Sequence, residues 1–153
     1  MLAISLHHGS RDPLIPLFAE ADDSESQVSS YKDLGEILVA RDADRIVGHV
    51  QVVETGDPGG FEIKSIAVDE DRRSEGIGAA LIKAALEHCR VRDGRSVTLA
   101  TAAASIDALK FYQRNGFRLR TIIRDFYTPA RGYRPLSIDG IPLLDEVILD
   151  IEL

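Results

Sequence analysis

The sequence has one cysteine, one methionine and no tryptophan, and aromatic residues make up only 6% of its 153 residues. A single cysteine, Cys89, excludes an internal disulfide and favours a reducing compartment. No apolar run approaches the roughly 20 residues that a transmembrane helix needs. The segment 1–6 has neither a basic flank nor a small-residue cleavage site, so we expect no signal peptide and a cytoplasmic protein without membrane contact.

Basic residues are also scarce: 18 Lys and Arg stand against 25 Asp and Glu, which gives a formal net charge of −7. Binding to nucleic acid normally requires a basic surface, so nucleic acid is not the expected partner. A basic cluster between Lys110 and Arg134 leaves a nucleic-acid adaptor as a distant alternative, although such a cluster can equally be solvated surface. With 44% hydrophobic and 28% charged residues, the composition is that of one globular domain over residues 1–153.

Hydrophobic periodicity predicts the element order β-α-α-β-β-β-α-β-α-β-β. The predicted strands cover residues 2–6, 36–41, 45–54, 61–68, 96–102, 117–127 and 143–153. Four helices are predicted. The first begins at Asp12, and the second runs through Val28 to Leu34. The third extends from the glycine pair 76/78 to about Arg90, and the fourth runs from a Ser105 cap to Asn115. The connection 128–142 contains three prolines and two glycines and is predicted to be irregular.

The most informative stretch is Arg73-Ser74-Glu75-Gly76-Ile77-Gly78-Ala79, which lies between a predicted strand and a predicted helix. The first N–H groups of a helix have no partner within the helix, and the helix dipole adds partial positive charge there. Glycines allow an anion to approach the backbone, and Arg72 and Arg73 can add charge-assisted hydrogen bonds. The stretch therefore predicts a binding site for a pyrophosphate.

The spacing Arg73-x-x-Gly76-x-Gly78 resembles the signature of the GCN5-related N-acetyltransferase (GNAT) family, whose loop holds the pyrophosphate of acetyl-CoA. Segment 65–68 is similar to the family strand that pairs with pantetheine, and segment 108–117 resembles its fourth-helix signature, in which a tyrosine precedes Gly-Phe. The resemblance covers the whole chain. It implies a mixed α+β fold with a mostly antiparallel sheet of about seven strands, about four flanking helices, and a splay between strands 4 and 5.

The resemblance also implies acetyl-CoA as donor substrate. The separations of the histidines show no metal-ligand pattern, so no metal is expected. The residues that it assigns to cofactor binding are Ile66, Ala67, Val68, Arg73, Ser74, Glu75, Gly76, Ile77, Gly78 and Ala79. Many members carry an asparagine seven residues before the tyrosine, where this chain has Ser105, a shorter side chain that can still bond the cofactor arm. The family picture further places the thioester oxygen at a backbone N–H near Leu99–Ala100.

Acetyl transfer to an amine requires a proton acceptor for the amine and a proton donor for the leaving thiolate. Tyr112 is the candidate acid by resemblance, and its alternative role is that of a core aromatic residue. Glu62 is the candidate base by resemblance, because histone-acetylating members of the family carry their catalytic glutamate at a similar position on this strand. Its alternative role is a rim carboxylate paired with Lys64. The histidines His7, His8 and His49 are alternative bases without a supporting motif.

The expected protein is an acetyl-CoA-dependent N-acetyltransferase that acts directly on the primary amine of a small molecule. The alternatives are a non-catalytic acyl-CoA-binding or sensing module and an enzyme that acetylates a protein amine. The long connection after residue 123 combines aromatic residues with Arg124, Arg131 and Arg134, which predicts an acceptor bearing an acid group. The same arginines can instead be solvated or contribute to a homodimer contact.

Overall fold

The computed structural model describes residues 1–153. The strands are β1 Leu2–Leu6, β2 Glu36–Asp42, β3 Arg45–Glu54, β4 Gly60–Val68, β5 Ser96–Ala102, β6 Arg118–Ile123, β7 Ser137–Ile138, β8 Ile141–Pro142 and β9 Glu146–Glu152. The helices are α1 Ile15–Ala21, α2 Glu25–Tyr31, α3 Ile77–Arg90 and α4 Ile106–Arg114, with short 3-10 turns at Asp12–Leu14, Glu70–Arg72 and Pro129–Arg131.

The main sheet has seven strands in the order β1-β2-β3-β4-β5-β9-β6. Every neighbouring pair is antiparallel except β4 and β5, which are parallel. The parallel pair requires a crossover connection, and α3 supplies it. The mixed α+β fold with a mostly antiparallel sheet and four helices is therefore confirmed.

The sheet opens between β4 and β5. The two strands pair only where Gly60–Glu62 faces Ser96–Thr98. Beyond that point β4 continues to Val68 and β5 to Ala102, and their facing edges have no strand partner. On its other edge β5 stays bound to β9 along its whole length. This is the predicted splay, and it leaves free backbone groups on both sides of a gap.

A β-bulge in β4 determines which side chains reach each side of that gap. Gln51 pairs with Ser65 but the next residue of β3, Val52, pairs with Ile63, so Lys64 is the additional residue. Before the bulge, Ile63 packs in the core beneath α3. After it, Ser65 lies on the opposite side of the sheet, where α1 packs, and bonds His49 at 2.8 Å.

Two hydrophobic cores lie on opposite sides of the sheet. The larger core contains Ile77, Leu81 and Ala85 of α3 with inward residues of β2 to β5 and β9. The smaller core joins Phe18 of α1 and Tyr31 of α2 to Ile37 and Val39 of β2. Helices with one apolar face must bury that face against a sheet, so α1–α2 and α3–α4 define the two sides of the molecule.

Several element boundaries differ from the predictions, and helix α2, for example, ends at Tyr31 rather than at Leu34. The first turn at Pro13 is a 3-10 turn, so α1 begins only at Ile15. Strand β6 ends at Ile123 rather than at residue 127, because Asp125 adopts a left-handed φ of 56° and donates its N–H to the Asp145 carboxylate at 2.9 Å. The same contact delays β9 to Glu146, and the intervening connection forms the small hairpin β7–β8.

Strand β6 is exposed along its whole length and forms one edge of the sheet. Its exposed apolar residues include Leu119 and Ile122. A homodimer through this or another surface stays a prediction. None of the helices has the length and apolar character required to cross a membrane.

Candidate active site

A cavity of about 290 Å³ passes through the splayed sheet. Its walls come from both sides: Ser105 and Tyr112 belong to the α4 side, whereas Tyr31 and Glu62 belong to the α1–α2 side. The connection between β6 and β9 also contributes to the wall, where Tyr133 and Leu143 are both buried. The cavity thus connects the two sides of the sheet at the point where β4 and β5 separate.

The loop before α3 has the backbone geometry of an anion site. Ser74 and Gly76 adopt left-handed conformations, with φ of 65° and 83°. The N–H groups of residues 74–79 have no acceptor in the protein, and Ala80 is the first to bond, to the Gly76 carbonyl at 3.1 Å. Successive free N–H groups in such a loop form a concave nest that binds anions.

The two glycines of this loop have different roles. A Cβ built on Gly76 would meet no atom within 4 Å, so its positive φ and the open space beside it are what favour glycine there. A Cβ on Gly78 would instead lie 3.0 Å from the ring of Phe111 on α4. Gly78 therefore allows α3 and α4 to pack closely, a contact that the motif did not reveal.

The two arginines of the loop also differ. Arg72 bonds Glu75 at 3.0 Å and Asp42 at 3.0 Å, so its guanidinium is already engaged within the protein. Arg73 is half-exposed, bonds the Val68 carbonyl at 3.3 Å and pairs with Glu20 at 2.8 Å. An exposed ion pair contributes little to stability, so Arg73 is free to exchange Glu20 for a bound phosphate.

Tyr112 of α4 reaches the cavity from the larger core. Its ring makes edge contacts with Phe111 and Phe117 at centroid distances of 5.3 and 6.2 Å, and its hydroxyl bonds no protein group. Burial raises the pKa of Tyr112 to about 12, which keeps the phenol protonated at neutral pH. The side chain is therefore both packed in the core and able to donate a proton into the cavity.

Ser105 occupies the N-cap position of α4 but its side chain does not cap the helix. The hydroxyl has no hydrogen-bond partner and lies in the cavity wall near Tyr112. The predicted cap is thus wrong in its chemistry, although the helix begins where it was expected. The unbonded hydroxyl remains available to a bound molecule.

Glu62 lines the cavity on the α1–α2 side, with 29% of its side chain exposed. Its carboxylate lies 3.7 Å from the Lys64 ammonium, which is the pairing that the alternative interpretation predicted. Lys64 also lies over the Tyr31 ring at 5.1 Å from its centroid. Glu62 is therefore inside the candidate site, as an ion-paired carboxylate.

The other nucleophiles and bases named from the sequence lie elsewhere. His49 is fully buried, and burial lowers its pKa to about 4. Its Nε2 is 2.8 Å from the Ser65 hydroxyl and its ring packs on Phe18 at 4.5 Å, so it is a core residue. Cys89 is a buried free thiol whose pKa burial raises to about 11. His7 and His8 do not line the cavity.

The residue that the sequence interpretation missed is Glu146, the first residue of β9. It is only 8% exposed, lines the cavity and forms no hydrogen bond or ion pair. Burial raises the pKa of Glu146 to about 7. In the sequence, Glu146, Asp150 and Glu152 are acidic residues at alternating positions of one strand, and therefore on one face. No local pattern shows that Glu146 is buried and the others are more exposed.

Aromatic residues surround this end of the cavity. Tyr31 donates its hydroxyl to Asp22 at 2.9 Å, and Tyr127 and Tyr133 contact each other edge-on at 4.9 Å. Burial raises the pKa of each of these phenols, and the charge of Asp22 adds to the effect for all three. All three phenols are therefore neutral at physiological pH.

A role of the β6–β9 arginines in binding the acceptor stays a prediction. Arg124, Arg131 and Arg134 are exposed and none lines the cavity, and Arg131 stacks on Phe126 at 3.9 Å. The charged lining residues are instead Glu20, Asp22, Asp23, Glu62, Glu146 and Lys64. Five of these six charged residues are acidic. The chain has no group of three or more His, Cys, Asp and Glu residues suited to a metal ion.

Comparison with known proteins agrees with this geometry. The family model of the acetyltransferase (GNAT) family matches residues 5–117. The chain belongs to the GNAT family. Within this family it is 32% identical over 153 residues to the uncharacterized N-acetyltransferase YvbK of Bacillus subtilis (strain 168), covering 99% of this chain and 97% of that relative.

Two solved GNAT structures resemble the whole fold. A Bacillus subtilis acetyltransferase in complex with CoA has a TM-score of 0.90 and 31% identity, covering 100% of this chain and 99% of the other. A GNAT acetyltransferase from Elizabethkingia anophelis with acetyl-CoA bound has a TM-score of 0.91 and 28% identity, covering 99% and 98%. The similarity thus extends over the β6–β9 connection and β9, which lie beyond the residues of the family match.

Proposed function

We propose that this GNAT protein transfers the acetyl group of acetyl-CoA directly to the primary amine of a small molecule. The observation that carries the proposal is the cavity through the splayed sheet. It connects the side that holds Tyr112 to the side that holds Glu62 and Glu146. A donor and an acceptor that enter from opposite sides would therefore meet at the gap.

The donor side is formed by the loop before α3 and the open edge of β4. The free N–H groups of residues 74–79, with Arg73, would hold the pyrophosphate. The unpaired edge at Ile66, Ala67 and Val68 would bond the pantetheine arm, and the Ser105 hydroxyl would add one contact. These residues keep the roles expected from the sequence, and two related structures that hold CoA or acetyl-CoA support them.

Tyr112 would donate a proton to the leaving sulfur, because its phenol stays protonated and its hydroxyl is unbonded. The unpaired edge of β5 at Leu99–Ala100 would offer a backbone N–H to the thioester oxygen. One of the carboxyl groups of Glu62 and Glu146 would take a proton from the amine. A covalent acetyl-enzyme is not expected, since the only thiol, Cys89, is buried and protonated at neutral pH.

The size of the cavity, about 290 Å³, supports a small acceptor. The buried residues Tyr133 and Leu143 belong to its wall together with Glu146. The buried free thiol also supports the cytoplasm as the compartment.

A thiol-release assay with acetyl-CoA tests the proposal. A panel of alkyl amines, aryl-alkyl amines, amino acids and peptides with free N-termini would be screened, and the products identified by mass spectrometry. We expect release of CoA with at least one small amine and formation of its acetamide. Turnover with peptides alone would favour the protein-acetylating alternative. Tight binding of CoA by calorimetry without any turnover would favour the sensing module.

A further inference from the structure

Among the carboxyl groups that line the cavity, Glu146 is the one that is both buried and without a partner, since Asp23 also bonds nothing but is exposed. Asp22 accepts the Tyr31 hydroxyl at 2.9 Å, Glu62 pairs with Lys64 at 3.7 Å, and Glu20 pairs with Arg73 at 2.8 Å. Glu146, although only 8% exposed, bonds nothing and faces the cavity. A buried carboxyl normally has hydrogen-bond or charge partners, so its missing partner points to a bound ligand.

The charges that face Glu146 come from three parts of the chain. Glu62 and Lys64 approach from β4, Asp22 from the end of α1, and Arg131 from the β6–β9 connection. The two cations are engaged elsewhere, since Lys64 contacts Glu62 and the Tyr31 ring and Arg131 stacks on Phe126. Burial raises the pKa of Glu146, the charges of Lys64 and Arg131 lower it, and those of Glu62 and Asp22 raise it. Neither cation forms an ion pair with the carboxyl, so an ammonium ion bound there would be its first direct partner.

The strand register places Glu146 and Glu62 at different depths of the same side of the sheet. Glu62 pairs with Thr98 of β5, and Glu146 pairs with Ala102 of β5 on the opposite edge. Thr98 and Ala102 lie about 13 Å apart along the strand, at about 3.3 Å per residue. The open edge at Leu99–Ala100, where we expect the thioester, lies between these two levels.

We propose that Glu146 receives the acceptor as an alkylammonium ion and removes its proton, so that the acceptor is a cationic amine without a neighbouring acid group. This inference rests on the proposed function and specifies its acceptor site. Glu62, held by Lys64, then acts as a positioning residue. Tyr31, Tyr127 and Tyr133 form aromatic walls suited to an alkylammonium ion.

The proton and bond balance is complete with groups already named. Glu146 takes one proton from the ammonium nitrogen, which frees its lone pair, and later releases that proton to water. The nitrogen–carbon bond forms as the carbon–sulfur bond breaks, and the nitrogen loses its second proton to solvent. Tyr112 gives its proton to the sulfur and recovers one from solvent. One proton is released overall for each acetamide and thiol formed.

The first test measures Glu146 in the wild-type protein without relying on turnover. Side-chain carboxyls would be followed by carbon NMR over pH 4–9, with and without n-butylammonium chloride, and Glu146→Gln would assign the signal. We expect one carboxyl to titrate near pH 7 and its pKa to fall when the cation is added, because a nearby positive charge favours the carboxylate. An unchanged titration in the presence of n-butylammonium would overturn the proposal.

The second test compares pH–rate profiles for the most active amine of the screen. Glu146→Gln is expected to lower kcat/KM by about 10²–10³-fold at pH 7, and by progressively less towards pH 10, where free amine accumulates. The pH-dependent limb is the part of the profile in which kcat/KM rises as the proton acceptor ionises. Glu146→Asp should retain part of this limb. Glu62→Gln should lower kcat/KM less than about tenfold and keep that limb.

The outcomes of the two tests are distinguishable. If Glu62→Gln removes the limb and Glu146→Gln keeps it, the assignment of the proton acceptor is wrong while the proposed function stands. If the wild-type protein acetylates no amine, the proposed function fails. In that case the n-butylammonium titration still decides whether Glu146 binds an ammonium ion.

Discussion

The unpartnered carboxyl of Glu146 predicts a specific dependence of stability on pH. In the folded state burial raises its pKa from 4.5 to about 7. Between these values the folded protein binds the proton more tightly than the unfolded chain does. Stability contributed by this group is therefore fully present below about pH 4.5 and is lost as pH rises through about 7.

The magnitude follows from the size of this rise. One pKa unit corresponds to about 1.4 kcal/mol, so a rise of about 2.5 makes the ionised carboxyl cost the folded state about 3 kcal/mol above pH 7. Glu146→Gln keeps the shape of the side chain and removes its ionisation. We expect this variant to match the wild type near pH 4.5 and to be more stable by about 3 kcal/mol at pH 8.

Thermal unfolding followed by circular dichroism at pH 5, 6, 7 and 8 measures the effect. For a chain of this size, about 3 kcal/mol corresponds to an increase of about 6–12 °C in Tm. Glu152→Gln is the matched control, because Glu152 lies on the same face of β9 but is exposed. A Glu146→Gln variant whose Tm difference from the wild type is constant over this range, or negative at pH 8, would refute the reasoning.

Three further predictions concern the donor side. Gly76→Val should weaken CoA binding, measured by calorimetry, at least about tenfold, because the valine side chain enters the open space beside the free N–H groups. Gly9→Val is the control, since Gly9 has a similar φ of 89° and also borders open space, and this variant should bind CoA normally. Tyr112→Phe should lower kcat about 10²-fold with little change in the KM for acetyl-CoA, and full activity would leave Tyr112 a packing residue. Gly78→Ala should lower the stability by about 1–3 kcal/mol through its contact with Phe111, and an unchanged Tm would contradict that packing role.

Strongly periodic elements were predictable from the sequence because local residues alone determine them. Strands β3 and β5 have the predicted bounds, Arg45–Glu54 and Ser96–Ala102. Both are rich in β-branched residues and are preceded by turn residues. The order of the elements and the loop before α3 followed for the same reason, and three short motifs were enough to identify the family.

Features that depend on distant partners were not predictable. Strand β6 ends early because the Asp125 N–H bonds Asp145, a residue on the far side of the β7–β8 hairpin. Gly78 is constrained by Phe111 from another helix. Neither contact can be predicted from the residues that are adjacent in sequence.

The burial of Glu146 was not predictable for the same reason. Its neighbours in the cavity wall include Tyr133 of the β6–β9 connection and Glu62 of β4, which are distant from it in sequence. The arginines of that connection led to the prediction of an acceptor with an acid group, whereas the inference from the cavity wall is a cationic amine. The arginine side chains are exposed, whereas the carboxyl groups of neighbouring elements line the cavity.

The most direct test of direct acetyl transfer is a single-turnover reaction with protein in excess over acetyl-CoA, in the presence of a small alkyl amine. Quenched samples would be analysed for acetamide, free CoA and the intact mass of the protein. We predict that acetamide and CoA form in equal amounts at the same rate, with no acetylated protein at any time. CoA release that precedes acetamide formation and accompanies a transient acetyl group on the protein would contradict the account.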